Sequence, residues 1–220
     1  MATRGRSSAI LEAIHGRDLP LQQDEAKDRL RKLVLAGAKT VSGSVDAGVV
    51  VVVYSDFLCP YCAQLWRLLR EELRTPSQGK VALFYRSFPV RGHSSVVRDM
   101  DVLANCTYAQ NREAFVRLVD LLFSERKNTA ASSVTAVMSS FLQRLPGFDM
   151  TALSACVASG SGERDLEADV ESAHEADVNA VPTVFVNGLR INGLPSPEHL
   201  RTLLGQAAAA ASRGSAKPDP

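Results

Sequence analysis

The sequence predicts an α/β protein: a central mixed sheet flanked by helices, its strands separated by one long helical segment. Three observations carry this expectation. The run "VVVVVYS" at 49–55 is apolar at successive positions and β-branched, as expected of a strand covered on both faces. A Cys-Pro-Tyr-Cys stretch, Cys59 to Cys62, follows at once and leads into an amphipathic helix. Strand character is then absent through a helical block and returns at "TVFVNG" and "LRIN", where an Asn-Gly turn marks a hairpin.

From the N-terminus, "SSAILEAIHG" and "QQDEAKDRLRKLVLAG" read as helices, the second with Leu30, Leu33 and Val34 on one face. "TVSGSVDAG" reads as a turn-rich linker into the valine strand. After the cysteines, Leu65, Trp66, Leu68, Leu69 and Leu73 form a wide apolar stripe, and Pro76 closes that helix. "KVALFYRSF" is the next strand. Helical segments beginning near residues 94, 111, 132, 149 and 163 follow, separated by Asn, Ser, Pro-Gly and Gly signals. A last helix starts with Ser196 as N-cap, Pro197 in the first position and Glu198 in the first turn, and the alanine-rich tail is expected to fray.

This order, a β-α-β unit and much later β-β-α, is that of a thioredoxin-type sheet with a helical insertion. It divides the chain into an N-terminal helical extension at 1–43, a thioredoxin-like domain at 44–92 and 179–211, an inserted helical domain at 93–178 and a disordered tail at 212–220. The 220 residues are enough to bury a sizeable core. A net charge of +1 without long charged blocks gives no reason to expect a nucleic-acid or membrane-surface partner. Arg29, Arg31 and Lys32 read as a solvated helix face. The apolar runs are too short for membrane insertion, and the N-terminus shows no export signal. Four cysteines pull the other way, toward an oxidising compartment.

The position of the Cys59–Cys62 pair points to disulfide chemistry. A helix N-terminus offers unpaired N–H groups and the positive end of the macrodipole, which stabilise a thiolate. Cys59 is therefore the expected nucleophile and Cys62, one turn further in, the shielded partner. Pro60 and Tyr61 supply no acid or base. A zinc site would need two more ligands, and Cys106 and Cys156 stand apart with no histidine near either in sequence. No metal and no cofactor beyond the cysteine pair is expected.

The stretches "VVVYSDFLCPYC", "FYRSFPVRGH", "LANCTYAQNREAFVRLVDLLF", "LSACVASG" and "VPTVFVNG" resemble, in order, the landmarks of the DsbA-like thioredoxin-fold oxidoreductases. The resemblance runs from about Ser44 to about Leu204. It implies an enzyme that exchanges disulfides with protein or peptide thiols, most naturally as an oxidase, with a second protein that recycles the dithiol. It also implies a monomer working in the periplasm or cell envelope; without a visible signal peptide, the cytoplasm is the alternative. A reductase or isomerase of the same fold, or a redox-inert binding module, are the competing functions.

By the same resemblance Cys59 is the attacking cysteine and Cys62 the resolving one. Pro182 is the family's cis-proline, and Val181, Pro182, Pro60 and Tyr61 meet the substrate, Val181 through its backbone by strand addition. Cys106 and Cys156 match a second pair that forms a structural disulfide in many members. Two positions depart from the pattern. Val53 stands where related families carry an acid beneath the dithiol, so Cys62 must exchange its proton with water or another group. Val181 replaces a common threonine, which leans toward oxidation. His93 reads as a helix-entry or solvated residue, and His15, His174 and His199 as surface residues. Asp56 reads as a turn stabiliser and Trp66 as core.

Overall fold

Residues 25–73, 81–90, 95–125 and 134–214 are described by a computed structural model of the chain. The elements are α1 (described over 25–35), β1 (Lys39–Ser42), β2 (Val49–Ser55), α2 (Pro60–Glu72), β3 (Val81–Ser87) and α3 (Ser95–Gln110). Then come α4 (Arg112–Glu125), α5 (Val134–Gln143), α6 (Met150–Ala158), α7 (Ser161–Glu175), β4 (Thr183–Val186), β5 (Leu189–Asn192) and α8 (Pro197–Gly214). The helix expected over "SSAILEAIHG", Pro76, His15 and His93 lie outside the described residues.

The five strands form one sheet in the order β1-β3-β2-β4-β5. The central pair β2–β3 is parallel, with Ser55 level with Ser87 and Val53 level with Tyr85; the other pairings are antiparallel. Every residue of β2 is buried. Its odd-numbered valines face a core made with Leu65, Trp66 and Leu69 of α2, Phe115 and Leu118 of α4, and Leu200 and Leu204 of α8. Its even-numbered residues, with Phe84 and Phe185, face α1 and the end of α7 through Leu30, Val34 and Ala173. The two-sided burial is why alternation is absent from the valine run. Asn187 and Gly188 join β4 to β5 with φ of 47° and 82°, the conformation an Asn-Gly hairpin turn demands.

Two readings of the chain are corrected. Lys39–Ser42, assigned to the helical extension and its linker, is an edge strand antiparallel to β3. Four residues containing a lysine carry little strand signal; Lys39 is buried because its ammonium meets Asp169, 130 positions along the chain. At the other end, α8 runs through the alanine segment to Gly214, past the expected onset of disorder at Ser212. Alanine is the strongest helix former, and Ala211 packs where a Cβ on Gly48 would lie 3.1 Å from its methyl.

Between β3 and β4 the chain is helical. Helix α3 is the hub, packed on α4, α5, α6 and α7. A disulfide joins Cys106 on α3 to Cys156 on α6. Asn105 donates to the Gly162 carbonyl (2.8 Å), and Gly162 lets α7 approach closely: a Cβ there would stand 2.6 Å from the Val102 carbonyl and 2.8 Å from Cys106 Sγ. The disulfide closes a loop spanning 50 positions. Restricting the unfolded chain over such a loop stabilises the fold by about 4 kcal/mol in the chain-entropy model. Replacing both cysteines by alanine is therefore expected to lower the denaturation free energy by about 2–4 kcal/mol in urea titration.

Candidate functional site

The site is built where β2 ends. Asp56, buried, accepts at Oδ1 from Leu58 N (2.7 Å) and at Oδ2 from Val90 N (3.3 Å), while its carbonyl accepts from Cys59 N (3.1 Å). One side chain thus ties the turn after β2 to the loop after β3 and sets the entry of α2. Cys59 is the N-cap of α2 and Pro60 its first residue, where a missing N–H costs nothing. Cys59 Sγ accepts from Cys62 N (3.4 Å) and lies 3.8 Å from the Val181 carbonyl, 122 positions away. Val181 and Pro182 are linked by a cis peptide bond at the entrance to β4.

Accessibility separates the two sulfurs. Cys59 is half-buried, Cys62 is 1% exposed, and both are free thiols. Burial pushes the Cys62 thiol well above its ordinary pKa; a backbone group of Asp56 and the Ser55 hydroxyl oppose the rise without cancelling it. Tyr61 is 59% exposed and Pro60 is exposed beside it, so the motif carries an open apolar rim. The structure thus brings together Cys59, Cys62, Pro60, Tyr61, Val181 and Pro182. Such an arrangement can accept attack by an external thiolate on one sulfur while shielding the other. Trp66 packs in the core and donates from its indole N–H to Asp120 (2.6 Å). His174 sets its ring edge-on to Phe88.

Beneath the dithiol, Val53 is buried among apolar side chains. Three polar side chains share its face of the sheet: Ser55, Tyr85 and Ser87, all buried. Tyr85 stacks on Phe57 (5.7 Å between ring centres) and meets Trp66 and Phe115 edge-on. Asp101, on α3, is buried beside them. Burial holds its carboxyl well above the ordinary carboxyl range; the Ser87 hydroxyl and the Lys39 ammonium oppose the rise, and the Asp56 and Asp169 carboxylates add to it.

The sequence reading missed these groups and a buried ion cluster next to them. Asp169 on α7 binds Lys39 Nζ (2.6 Å), Arg86 Nη1 (2.8 Å) and Ser87 N (2.9 Å). Arg86 also donates to the carbonyls of Val34 and Ala36. One signal was visible beforehand, an arginine inside the apolar strand "VALFYRS". Asp101 offered none, because a lone acid within a helix reads as surface.

The comparisons agree with this geometry. The protein named "Probable disulfide bond formation protein D" of Bacillus cereus is 27% identical over 173 residues, which cover 75% of this chain and 77% of that protein. "Na(+)/H(+) antiporter NhaA 3" of Salinispora tropica is 28% identical over 223 aligned positions, covering all of this chain but 31% of that longer protein. Among solved structures, oxidised BdbD from Bacillus subtilis superposes with a TM-score of 0.69 at 16% identity over 80% of this chain and 95% of that one. The family model described as Thioredoxin matches residues 36–206, from just before β1 into α8, and the chain belongs to that family.

Proposed function

We propose that the protein is a thiol–disulfide oxidoreductase that oxidises protein thiols through Cys59 and Cys62. The carrying observation is the asymmetry of the pair: Cys59 is half-buried at the N-terminus of α2, and Cys62 is fully buried behind it. In the oxidised form, a substrate thiolate attacks Cys59 Sγ. The Cys59–Cys62 bond breaks, its electron pair goes to Cys62, and Cys59 carries the mixed disulfide. A second substrate thiolate then attacks the substrate sulfur of that bond. The substrate leaves with its disulfide and Cys59 leaves as thiolate. The dithiol form present here is the product of that cycle and needs a partner that takes two electrons to restore it.

An extended substrate would lie along Val181, whose carbonyl is 3.8 Å from Cys59 Sγ, with the exposed Pro60 and Tyr61 giving apolar contact and the buried Pro182 shaping the backbone beneath it. The name of the Bacillus cereus relative supports the oxidase direction. The disulfide between α3 and α6 supports an extracytoplasmic setting, since such bonds persist in oxidising compartments. We read the working unit as a monomer, each chain carrying a complete site.

Two measurements test the reading. A Cys62→Ser protein incubated with a reduced two-cysteine peptide and diamide should accumulate a peptide adduct on Cys59, seen as a mass increase that dithiothreitol removes. An adduct spread over other residues, or none, contradicts the assignment. Equilibration in glutathione buffers should give a potential toward the oxidising end of the fold, about −120 mV; a value near −270 mV would make the protein a reductase.

A further inference from the structure

A groove of about 650 Å³ opens between the loop after β3 and the last three turns of α7. A volume of that order suits several side chains rather than a lone ion. Its floor is apolar: Leu166 and Val170 of α7, Phe88 and Val90 from the β3 side, and Val178 beyond the helix. Val90 is 43% exposed there. One edge carries Glu167, Glu171 and Glu175, four residues apart and so aligned along α7, and all three are exposed. Arg98, across from them, is held by Glu163 and, at 3.8 Å, by Glu167. Among the described residues, no ion pair engages Glu171 or Glu175.

Both walls of the groove lead to the dithiol. Phe88 N donates to the Ser55 carbonyl (2.8 Å) and Val90 N to Asp56 Oδ2 (3.3 Å), and the Asp56 carbonyl accepts from Cys59 N. On the other wall, Asn179 precedes Val181 by two residues, so their Cα atoms stand no more than about 7 Å apart. The Val181 carbonyl is 3.8 Å from Cys59 Sγ. Since α7 ends toward this segment, Glu175 lies at the near end of the acidic row, and Glu167 is about 12 Å further off along the helix. About four residues of extended chain cover that length.

We propose that this groove receives the polypeptide flanking the reacting cysteine of a substrate, and that it selects flanks in which lysine or arginine alternates with apolar residues. The inference rests on the dithiol reading above and names the substrate class of that site. An extended chain turns alternate side chains to opposite sides. One set can therefore enter the floor at Val90, Val170 and Val178 while the other lies along the rim with Glu171 and Glu175. The floor by itself would accept any apolar segment. The unpaired carboxylates make the choice, because an acidic flank would set like charges together.

The test uses the oxidised full chain and reduced two-cysteine peptides that share one core and differ in an eight-residue flank, placed before or after the cysteines. The flanks alternate lysine with leucine, glutamate with leucine, serine with leucine, or lysine with serine. In one placement the lysine–leucine peptide should be oxidised about fivefold or more faster than the serine–leucine peptide, and the glutamate–leucine peptide more slowly than both. The lysine–serine flank should fall short of the lysine–leucine one. Salt at about 0.5 M should remove most of the charge preference, since the carboxylates are exposed. Glu171→Gln combined with Glu175→Gln should bring the three leucine flanks together and leave the serine–leucine rate as in the wild type. Asp165→Asn combined with Glu198→Gln removes the same charge from exposed positions outside the groove and should keep the preference. Comparing variants on one peptide cancels what each flank does to the peptide's own thiols.

Equal rates for the lysine–leucine and glutamate–leucine flanks would overturn the proposal, as would a lysine–serine flank as fast as the lysine–leucine one. A lysine preference that survives the paired glutamine substitutions, or is lost equally in the Asp165 and Glu198 variant, would overturn it too. So would a wild-type dimer in sedimentation velocity that the glutamine substitutions make monomeric, because a second copy would then fill the groove. A wild type that oxidises none of the peptides would instead defeat the dithiol reading itself.

Discussion

Cys59→Ser is expected to abolish oxidation of a reduced peptide, a loss of about a thousandfold or more, while leaving the fold intact. The two halves of this expectation have separate physical causes. The activity depends on a sulfur that can form and release a disulfide, which a hydroxyl cannot do. The fold depends on Cys59 as the N-cap of α2, where its side chain accepts from Cys62 N at 3.4 Å. Serine is among the best N-caps and makes a shorter bond there, so thermal stability should hold or rise by a few tenths of a kcal/mol. Peptide thiol titration and a melting curve on one preparation check both. Retained turnover would remove Cys59 from the chemistry, and lost folding would mean that the sulfur has a structural part the N-cap geometry does not explain.

The second large effect is expected at Asp169. Its carboxylate is the common partner of two buried cations, Lys39 and Arg86, and of Ser87 N. Removing one partner of a buried ion pair costs about 3–5 kcal/mol, because the remaining charge is stranded. Asp169→Ala strands two. Set against a total stability of about 5–15 kcal/mol, the variant should unfold near room temperature or accumulate as aggregate. Asp169→Asn, which retains an acceptor for Ser87 N, should be milder. Urea titration of both, with wild type as reference, reads the difference; an Asp169→Ala midpoint close to wild type would show that Lys39 and Arg86 find other partners. The loss should reach the site, because Asp169 anchors the end of β3 that lies level with Ser55.

What could be read in the chain beforehand was local. The valine strand, the helix opened by Cys-Pro-Tyr-Cys, the Asn-Gly hairpin and the Ser196 cap all depend on residues a few positions apart, and each stands where its signal placed it. Cys59 and Cys62 were legible for the same reason. What was hidden depends on partners far along the chain. β1 is a strand because β3 lies beside it and Asp169 receives its lysine. Asp101 and Asp99 share a helix and a chemistry, yet one is buried and the other exposed, since α3 is enclosed by neighbours whose placement no periodicity reveals. The meeting of Val181 with Cys59 across the helical block was expected through the family resemblance alone, since no local spacing carries it.

The two cysteine pairs also bear on how the chain is made. In order of synthesis the thiols appear as Cys59, Cys62, Cys106 and Cys156, and the pairs are consecutive, never interleaved. A chain that joins each new thiol to the last unpaired one arrives at the bond seen between α3 and α6. Cys106, however, emerges into the company of two older thiols, one of them a good nucleophile by position. Closing the ring between Cys59 and Cys62 early removes both from competition and leaves Cys106 to wait for Cys156. The oxidised site would then be the state in which the protein guards its own assembly as well as the state in which it serves its substrates.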